Sequence, residues 1–348
     1  MVFRQLFDPA SSTYTYLLAD AGTRRALLID SVFEQFERDR ALLSELGLTL
    51  THTLETHVHA DHVTAAWRFH QALGSRIVLS SQSGAVGADI YVDDGDIIEA
   101  GSATLIVRST PGHTNGCITY VAKDYRMAFT GDALMIRSAG RTDFQQGDAH
   151  ALYRSIKERI FSLPEDCLLY PAHDYAGRTV TTVGEEKRWN PRIGGEASEN
   201  DFTGYMQNLG LPHPKQIDVA VPANLKCGRP QSALTAERPS WAPLVRTFAG
   251  VLEIDPVWVS EHRSAITLLD VREPAELTGD LGCVEGSLHI PLGELRERAA
   301  EVPRDKPVVA VCRSGRRSAQ ACSILEKAGV ADVANSAGGM IRWRALGL

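Results

Sequence analysis

Short apolar runs with strand-like patterning occupy residues 13–18 and 25–29, and an apolar spacing of helical period over 34–46, stopped by Gly47, predicts a helix. A strand over 51–55 then runs straight into a cluster of histidines. The alternation continues with strands at 76–79, 104–109, 118–121 and 127–130 and a helix at 149–161. This order predicts an α/β domain whose polar residues gather at strand ends. Around 228–250 the chain reads GRPQSALTAERPSWAPLVRTFAG, with three prolines and no sustained period, as an interdomain linker would. Beyond it, ITLLDV, REPAEL, SLHIPL, PVVAVC and RRSAQACSILEKAG repeat the strand and helix alternation on a smaller scale. The expected organisation is a first domain at 1–228, a linker at 229–250 and a second α/β domain at 251–348.

At 348 residues, 44% of them hydrophobic and 23% charged, the chain has enough material for two cores and too much apolar content for disorder. A net charge of −7 provides no basic field for a polyanion, so nucleic acid is not an expected partner. No apolar run nears the roughly 20 residues that span a bilayer, and the opening MVFRQLFDPASSTYTYLLAD lacks the layout of a signal peptide. The expectation is a cytoplasmic protein without membrane partners, compatible with a homo-oligomer. Cys117, Cys167, Cys227, Cys283, Cys312 and Cys322 form no CxxC pair, as expected of reduced thiols.

Four potential ligands follow the strand at 51–55 within six positions: His57, His59, Asp61 and His62. Burying three imidazoles and a carboxylate together is costly unless a cation offsets the desolvation. His113 in TPGHTNG, Asp132 in AFTGDAL and His173 in YPAHDY stand at similar strand-to-loop junctions, where glycine or proline lets the backbone turn sharply. Any one of these alone reads as a turn residue; together they read as a metal site.

These motifs resemble the metallo-β-lactamase superfamily, whose αββα sandwich carries a His-x-His-x-Asp-His motif and a later His, Asp and His. One version of the resemblance implies a binuclear zinc site, with His57, His59 and His113 on one metal, Asp61, His62 and His173 on the other, and Asp132 bridging, as in glyoxalase II-like thioester hydrolases. The contiguous stretch GDALMIRSAGRTDFQQGD at 131–148 looks instead like the persulfide dioxygenase branch. That resemblance implies one Fe(II) per chain on His57, His113 and Asp132, two histidines and a carboxylate that leave coordination positions open. His59, Asp61, His62 and His173 would then act around that centre by hydrogen bonding. All seven ligands are present, so residue content is compatible with one iron and with two metals. The branch further implies glutathione persulfide and O2 as substrates. Arg137, Arg141, Tyr175 and Arg178 are the candidates for holding glutathione carboxylates, arginine by its planar fork.

In the second domain, PVVAVCRSGRRSAQACSILEKAG reads as a buried strand, a six-residue loop from Cys312 to Arg317 and a helix starting near Ser318. Loop amides, a helix N-terminus and the cations Arg313, Arg316 and Arg317 would favour the Cys312 thiolate. The pattern resembles a rhodanese domain, with Cys312 as sulfur-carrying nucleophile, and LLDVREPAEL matches that family's upstream segment, where Asp270 and Arg272 are expected to be structural. Cys283 stands where a histidine is common. Cys117, Cys167, Cys227 and Cys322 are expected to be buried structural thiols.

Taken together, the resemblances imply a bifunctional enzyme. It would oxidise glutathione persulfide to sulfite and glutathione at iron, and move sulfane sulfur between thiosulfate and glutathione at Cys312. The alternatives are a zinc thioester hydrolase with an accessory sulfurtransferase domain, and a non-catalytic sulfur carrier.

Overall fold

Strands rich in β-branched and aromatic residues build two six-stranded sheets in the N-terminal part of the chain. The first sheet runs β1 (Val2–Asp8), β2 (Thr13–Ala19), β3 (Arg25–Ile29), β4 (Thr49–Leu54), β5 (Arg76–Ser80) and β6 (Ile90–Val92), neighbours in that order. Its first three strands are antiparallel; from β3 onward the pairing is parallel, with α1 (Phe36–Glu45) and α2 (Ala66–Leu73) in the connections. The second sheet contains β7 (Ile97–Ala100), β8 (Ala103–Ser109), β9 (Ile118–Ala122), β10 (Met127–Gly131), β11 (Leu168–Pro171) and β12 (Thr181–Thr182), also consecutive. The computed structural model describes residues 1–212, 214–230 and 240–348. They divide into two units, Met1–Phe36 with Leu46–Leu234, and Glu37–Glu45 with Thr235–Leu348.

Alternate residues of the strands sort the first unit into layers. Tyr16, Leu18, Leu27, Ile29 and Leu54 of the first sheet face Leu105, Val107, Tyr120, Phe129 and Tyr170 of the second in one core. Their intervening neighbours Val121, Ala128 and Leu169 turn the other way and pack beneath helical residues Leu152, Ile156, Ile160, Phe202 and Met206. Those residues lie on α3 (Ala149–Arg154), the π-helical turn Ser155–Ile160 that continues it, and α5 (Glu199–Gln207), with Val183 of α4 (Val183–Trp189) in the same cluster; α6 (Ile217–Asn224) follows later in the chain. Ala66, Ile77 and Leu79 cluster with Cys227 on the outer side of the first sheet. This is the sandwich of sheets between helices that the motifs implied.

The second unit is a mostly parallel sheet in the order β13-β14-β18-β17-β15-β16. In chain order its elements are β13 (Val245–Arg246), β14 (Leu252–Ile254), α7 (Pro256–Glu261), β15 (Thr267–Asp270), α8 (Pro274–Leu277), β16 (Leu288–His289), α9 (Leu295–Arg298), β17 (Val308–Val311), α10 (Arg316–Lys327), β18 (Val333–Ser336) and α11 (Gly339–Ala345). Val308 and Ala310 of β17 join one apolar cluster with Ala321, Cys322 and Leu325 of α10, and Val309 and Val311 join the opposite one with Met340 and Trp343 of α11. Helices therefore cover both faces, as a small α/β domain requires.

Some expectations differ from the structure. The helix expected at 149–161 is α-helical only through Arg154 and then widens to π-helical spacing. The helix expected to start near Ser318 begins at Arg316, because Gly315 at φ +92° turns the chain directly into it. β1 was not anticipated; it forms by pairing along the full length of β2. Part of the expected linker, 231–239, lies outside the described residues. Among the described residues, no helix is long and apolar enough to cross a membrane.

Candidate metal centre and thiol loop

The expected ligands of the first unit all stand just beyond strand ends, where the sheets hand the chain to loops: His57 after β4, His113 after β8, Asp132 after β10 and His173 after β11. Local chemistry fixes these turns. Gly131, at φ +56° in a register break of β10 against β11, leaves no room for a Cβ, which would sit 2.7 Å from Thr56 Oγ1. At Gly112 a Cβ would meet the Leu152 backbone at 2.2 Å, so only glycine lets α3 pack beside His113.

Two ligand groups emerge. His57, His113 and Asp132 offer donor atoms that lie within 4.8 Å of one another, and His59, Asp61, His62 and His173 form a second such group. His113 Nε2 and Asp132 Oδ2 are 3.7 Å apart, too far for a hydrogen bond. That spacing suits two ligands of one ion bonded at about 2.1 Å each. His59 also lies near Asp30 and Glu55, with Nε2 3.2 Å from Asp30 Oδ1 and 3.7 Å from Glu55 Oε2.

Hydrogen bonds set which nitrogen of each ring is free. Nδ1–H of His113 donates to the Arg141 carbonyl at 2.7 Å, turning the Nε2 lone pair toward Asp132. Thr56 donates its hydroxyl proton to Asp30 Oδ2 (2.9 Å) and so accepts from Nδ1 of His57 at 3.0 Å, which leaves Nε2 of His57 free as well. Burial, with neighbouring imidazoles, holds His57 and His59 well below the usual histidine range, in the neutral form a metal requires. Burial pushes the Asp132 carboxyl up, but His173, His57 and His113 outweigh it and hold Asp132 ionised well below the usual carboxylate range. His173 is different: Nδ1 bonds Asp132 Oδ1 at 2.7 Å and Nε2 bonds Asp61 Oδ2 at 2.9 Å. Despite burial, those two carboxylates push it well above the usual histidine range.

Several residues that brace the centre were not among the expected site residues. Asn224 of α6 donates to the carbonyls of His59 and His62 at 2.9 and 2.8 Å. Gln145, at φ +50°, donates to the Val58 carbonyl between the first two histidines, and Phe144 meets the His113 ring edge-on at 5.9 Å. Thr13 reaches Asp61, His62 and His173 from the start of β2. Phe144 and Gln145 fall in the stretch 131–148, whereas Thr13 and Asn224 lie far from the histidine motif in the chain and give no sequence signal.

The expected substrate contacts scatter. Arg137 is bound by Glu186 and Thr181, beneath the sheet end. Arg141 bridges Asp143 and the carbonyls of Leu211 and Pro212, and Arg178 pairs with Asp174. Tyr175 lies parallel to His173 with ring centroids 6.2 Å apart and is 74% exposed; Arg178 is exposed as well.

In the second unit Cys312 is buried at the end of β17, with Sγ accepting from the Gly315 amide and from the Ser318 hydroxyl, each at 3.2 Å. Its carbonyl and that of Arg313 accept from Met340 and Ile341, which turns the loop's amides inward. A Cβ on Gly339 would strike the Cys312 carbonyl at 2.3 Å. Burial acts against ionisation, yet the Ser318 hydroxyl and the amides of Ser318, Ser314 and Gly315 outweigh it and lower the thiol's pKa. Burial pushes Cys117, Cys227 and Cys322 up to about 12 and Cys167 to about 11, as expected of structural thiols. Arg313 and Arg316 are exposed, whereas Arg317, on the first turn of α10, is held bidentately by Glu276 at 2.6 and 2.7 Å. The hydroxyl and amides, rather than the arginines, touch the sulfur. Asp270 and Arg272 form a fully buried ion pair at 2.6 Å that also fastens the carbonyls of Glu276 and Gly282. Cys283 is exposed.

Residues 8–173 match the Metallo-beta-lactamase superfamily and residues 255–346 the Rhodanese-like domain. The human protein named "Persulfide dioxygenase ETHE1, mitochondrial" is 53% identical over 229 residues, spanning 66% of this chain and 89% of its own length. The crystal structure of ETHE1 from Myxococcus xanthus, 51% identical, superposes with a TM-score of 0.64 over 66% of this chain and all of its own. A metallo-beta-lactamase from Staphylococcus aureus covers 97% of this chain and 98% of its own at 23% identity and a TM-score of 0.62, a likeness of fold alone.

Proposed function

The chain belongs to the metallo-β-lactamase superfamily, matches named persulfide dioxygenases over two thirds of its length and continues into a rhodanese-like domain; from that premise we propose that it is an Fe(II)-dependent glutathione persulfide dioxygenase fused to a thiosulfate sulfurtransferase. The observation that carries the reading is the separation of His57, His113 and Asp132 into one ligand group, with the free lone pairs of both imidazoles set by Thr56 and Arg141. Two neutral imidazoles and one carboxylate are the donor set that suits non-haem Fe(II) with open positions. Bound there, ferrous iron would supply the place where the terminal persulfide sulfur meets dioxygen. Overall, persulfide, O2 and water yield thiol and sulfite: the terminal sulfur is oxidised, oxygen is reduced, and the S–S bond breaks. Asp132 keeps its charge through the His173 contact, and the Asn224 and Gln145 clamps hold the loop backbone against movement.

In the second unit, Cys312 thiolate, held by Gly315 N–H and Ser318 Oγ–H, attacks the outer sulfur of thiosulfate, and sulfite leaves with the S–S electron pair, giving the Cys312 persulfide. Glutathione thiolate then takes the sulfur and releases Cys312; the reverse sequence forms thiosulfate. Arg313 and Arg316 are the exposed cations available to the dianion. Six free thiols suit the reducing cytosol. The test is a double dissociation: Asp132→Ala is expected to abolish metal binding and oxygen uptake while sparing sulfur transfer, and Cys312→Ser the reverse. Loss of both activities in a folded Cys312→Ser protein contradicts two separate centres, and sulfur loading of Cys312 without transfer to glutathione favours the carrier reading.

A further inference from the structure

Seven ligands are present, yet the proposed reaction uses three, so something in the fold must decide what the other four do. We propose that Thr13 is the residue that denies the second ligand group a metal ion, and so sets the metal content at one. The inference rests on the mononuclear reading above and names the device behind it.

Ligand chemistry alone would let His59, Asp61, His62 and His173 take an ion, since their donor atoms converge within 4.8 Å. Into this group, from a strand remote in sequence, comes one hydroxyl. Thr13 Oγ1 donates to Asp61 Oδ2 at 3.2 Å and lies 3.0 Å from His173 Nε2 and 3.2 Å from His62 Nδ1. Asp61 Oδ2 in turn bonds His173 Nε2 at 2.9 Å and His62 Nδ1 at 3.1 Å. Two donor atoms of this group, Asp61 Oδ2 and His173 Nε2, are thus closed on one another and on the threonine at hydrogen-bond lengths, while Nε2 of His62 has no partner among the described residues. Metal–ligand bonds of about 2.1 Å would have to replace the hydrogen bonds that Asp61 Oδ2 and His173 Nε2 now make.

Thr13 cannot easily yield. It is fully buried, and its hydroxyl is 2.7 Å from Ser11 Oγ. Ser11 is itself fixed by Asp8 Oδ2 through both hydroxyl and amide, and Asp8 is held by Gln35 at 2.6 Å. The backbone of Thr13 bridges that of His173, and the next residue, Tyr14, donates to the Ala172 carbonyl at 2.7 Å. Hydroxyl and imidazole are therefore sewn side by side, and a rotamer change at Thr13 alone would strand a buried polar group.

The experiment compares metal content by plasma mass spectrometry, and zinc binding by calorimetry, for full-length wild type, Thr13→Ala and Thr13→Ser, each prepared with excess zinc and then dialysed. Wild type and Thr13→Ser are expected to retain about one metal per chain. Thr13→Ala is expected to retain about two, its second zinc binding at least about tenfold more tightly than any second zinc on wild type, the scale on which hydrogen-bonding partners of ligands act. Thr13→Val, which keeps the β-branched strand residue should the alanine variant fail to fold, is expected to shift in the same direction by less. One metal on a folded Thr13→Ala and Thr13→Val overturns the inference and leaves the mononuclear reading intact. Two metals on wild type contradict the mononuclear reading itself, and loss of the first metal in Thr13→Ala would show the threonine to be a support of the centre rather than a barrier.

Discussion

Removing the Ser318 hydroxyl isolates what stabilises the sulfur anion of Cys312. The Ser318→Ala change deletes one of two side-chain or amide donors that lie 3.2 Å from Sγ, on a fully buried residue, and keeps the first turns of α10 helical. A hydrogen bond to a charged acceptor contributes about 1.5–3 kcal/mol. Sulfur at this distance places the bond at the low end, and about 1.4 kcal/mol corresponds to one pH unit. The lowered pKa of Cys312 should therefore rise by about one unit, and sulfur transfer at neutral pH should slow by up to about tenfold and recover as the pH is raised. Arg316→Ala is the contrast: an exposed cation screened by water contributes about 0–1 kcal/mol, so its effect should stay under about half a unit at physiological salt. Iodoacetamide labelling against pH, read at the Cys312 peptide by mass, measures both midpoints. An unchanged midpoint in Ser318→Ala together with a full-unit rise in Arg316→Ala would refute the reasoning and return the anion's stability to the arginines.

Two further outcomes follow from the same contacts. Thr56→Val removes the acceptor that orients His57 Nδ1, and metal affinity, measured by competition with a chelator, should fall by about 10–100-fold while secondary structure is kept; unchanged affinity would mean the hydroxyl does not set the ring. His52, pushed down to about 4 by burial, with Arg76 and Arg25 adding to the effect, stays neutral when folded and regains its ordinary pKa near 6.5 when unfolded. Because the folded value is the lower one, the associated stability is present above pH 6.5 and is lost as the pH falls toward 4. Wild type should lose up to about 3 kcal/mol more than His52→Gln over that window in urea titrations, and equal losses would contradict the assignment.

How far the sequence discloses this molecule depends on the reach of each interaction. The histidine motif at 57–62 is local, and Gly131 and Gly112 mark their turns in the chain itself, so the ligand inventory and the sandwich were legible. The partition of the seven ligands into two groups was implied only by the resemblance to persulfide dioxygenases and not by spacing, because it depends on how β2, β4, β10 and β11 bring their ends together. Thr13 acts on His173 across 160 positions and Asn224 on His59 across 165. The thiol loop shows the same contrast. Cys312, Gly315 and the arginines advertise an anion site, but Arg317 is occupied by Glu276 from 41 positions upstream. Ser318 was read as a helix start, and its hydroxyl acts on the sulfur because α10 begins two residues sooner. Strands as short as Val245–Arg246, within the expected linker, offer too few residues for any period to register.

The central claim is that the His57, His113 and Asp132 group makes the first unit an iron oxygenase of persulfides. It is tested most directly by preparing the full-length protein without added zinc, measuring its metals, and following oxygen uptake and sulfite formation with glutathione persulfide. The account predicts about one iron per chain and one sulfite formed for each O2 consumed, both lost in Asp132→Ala. Two zincs per chain, with thioester cleavage and no oxygen uptake, would contradict it.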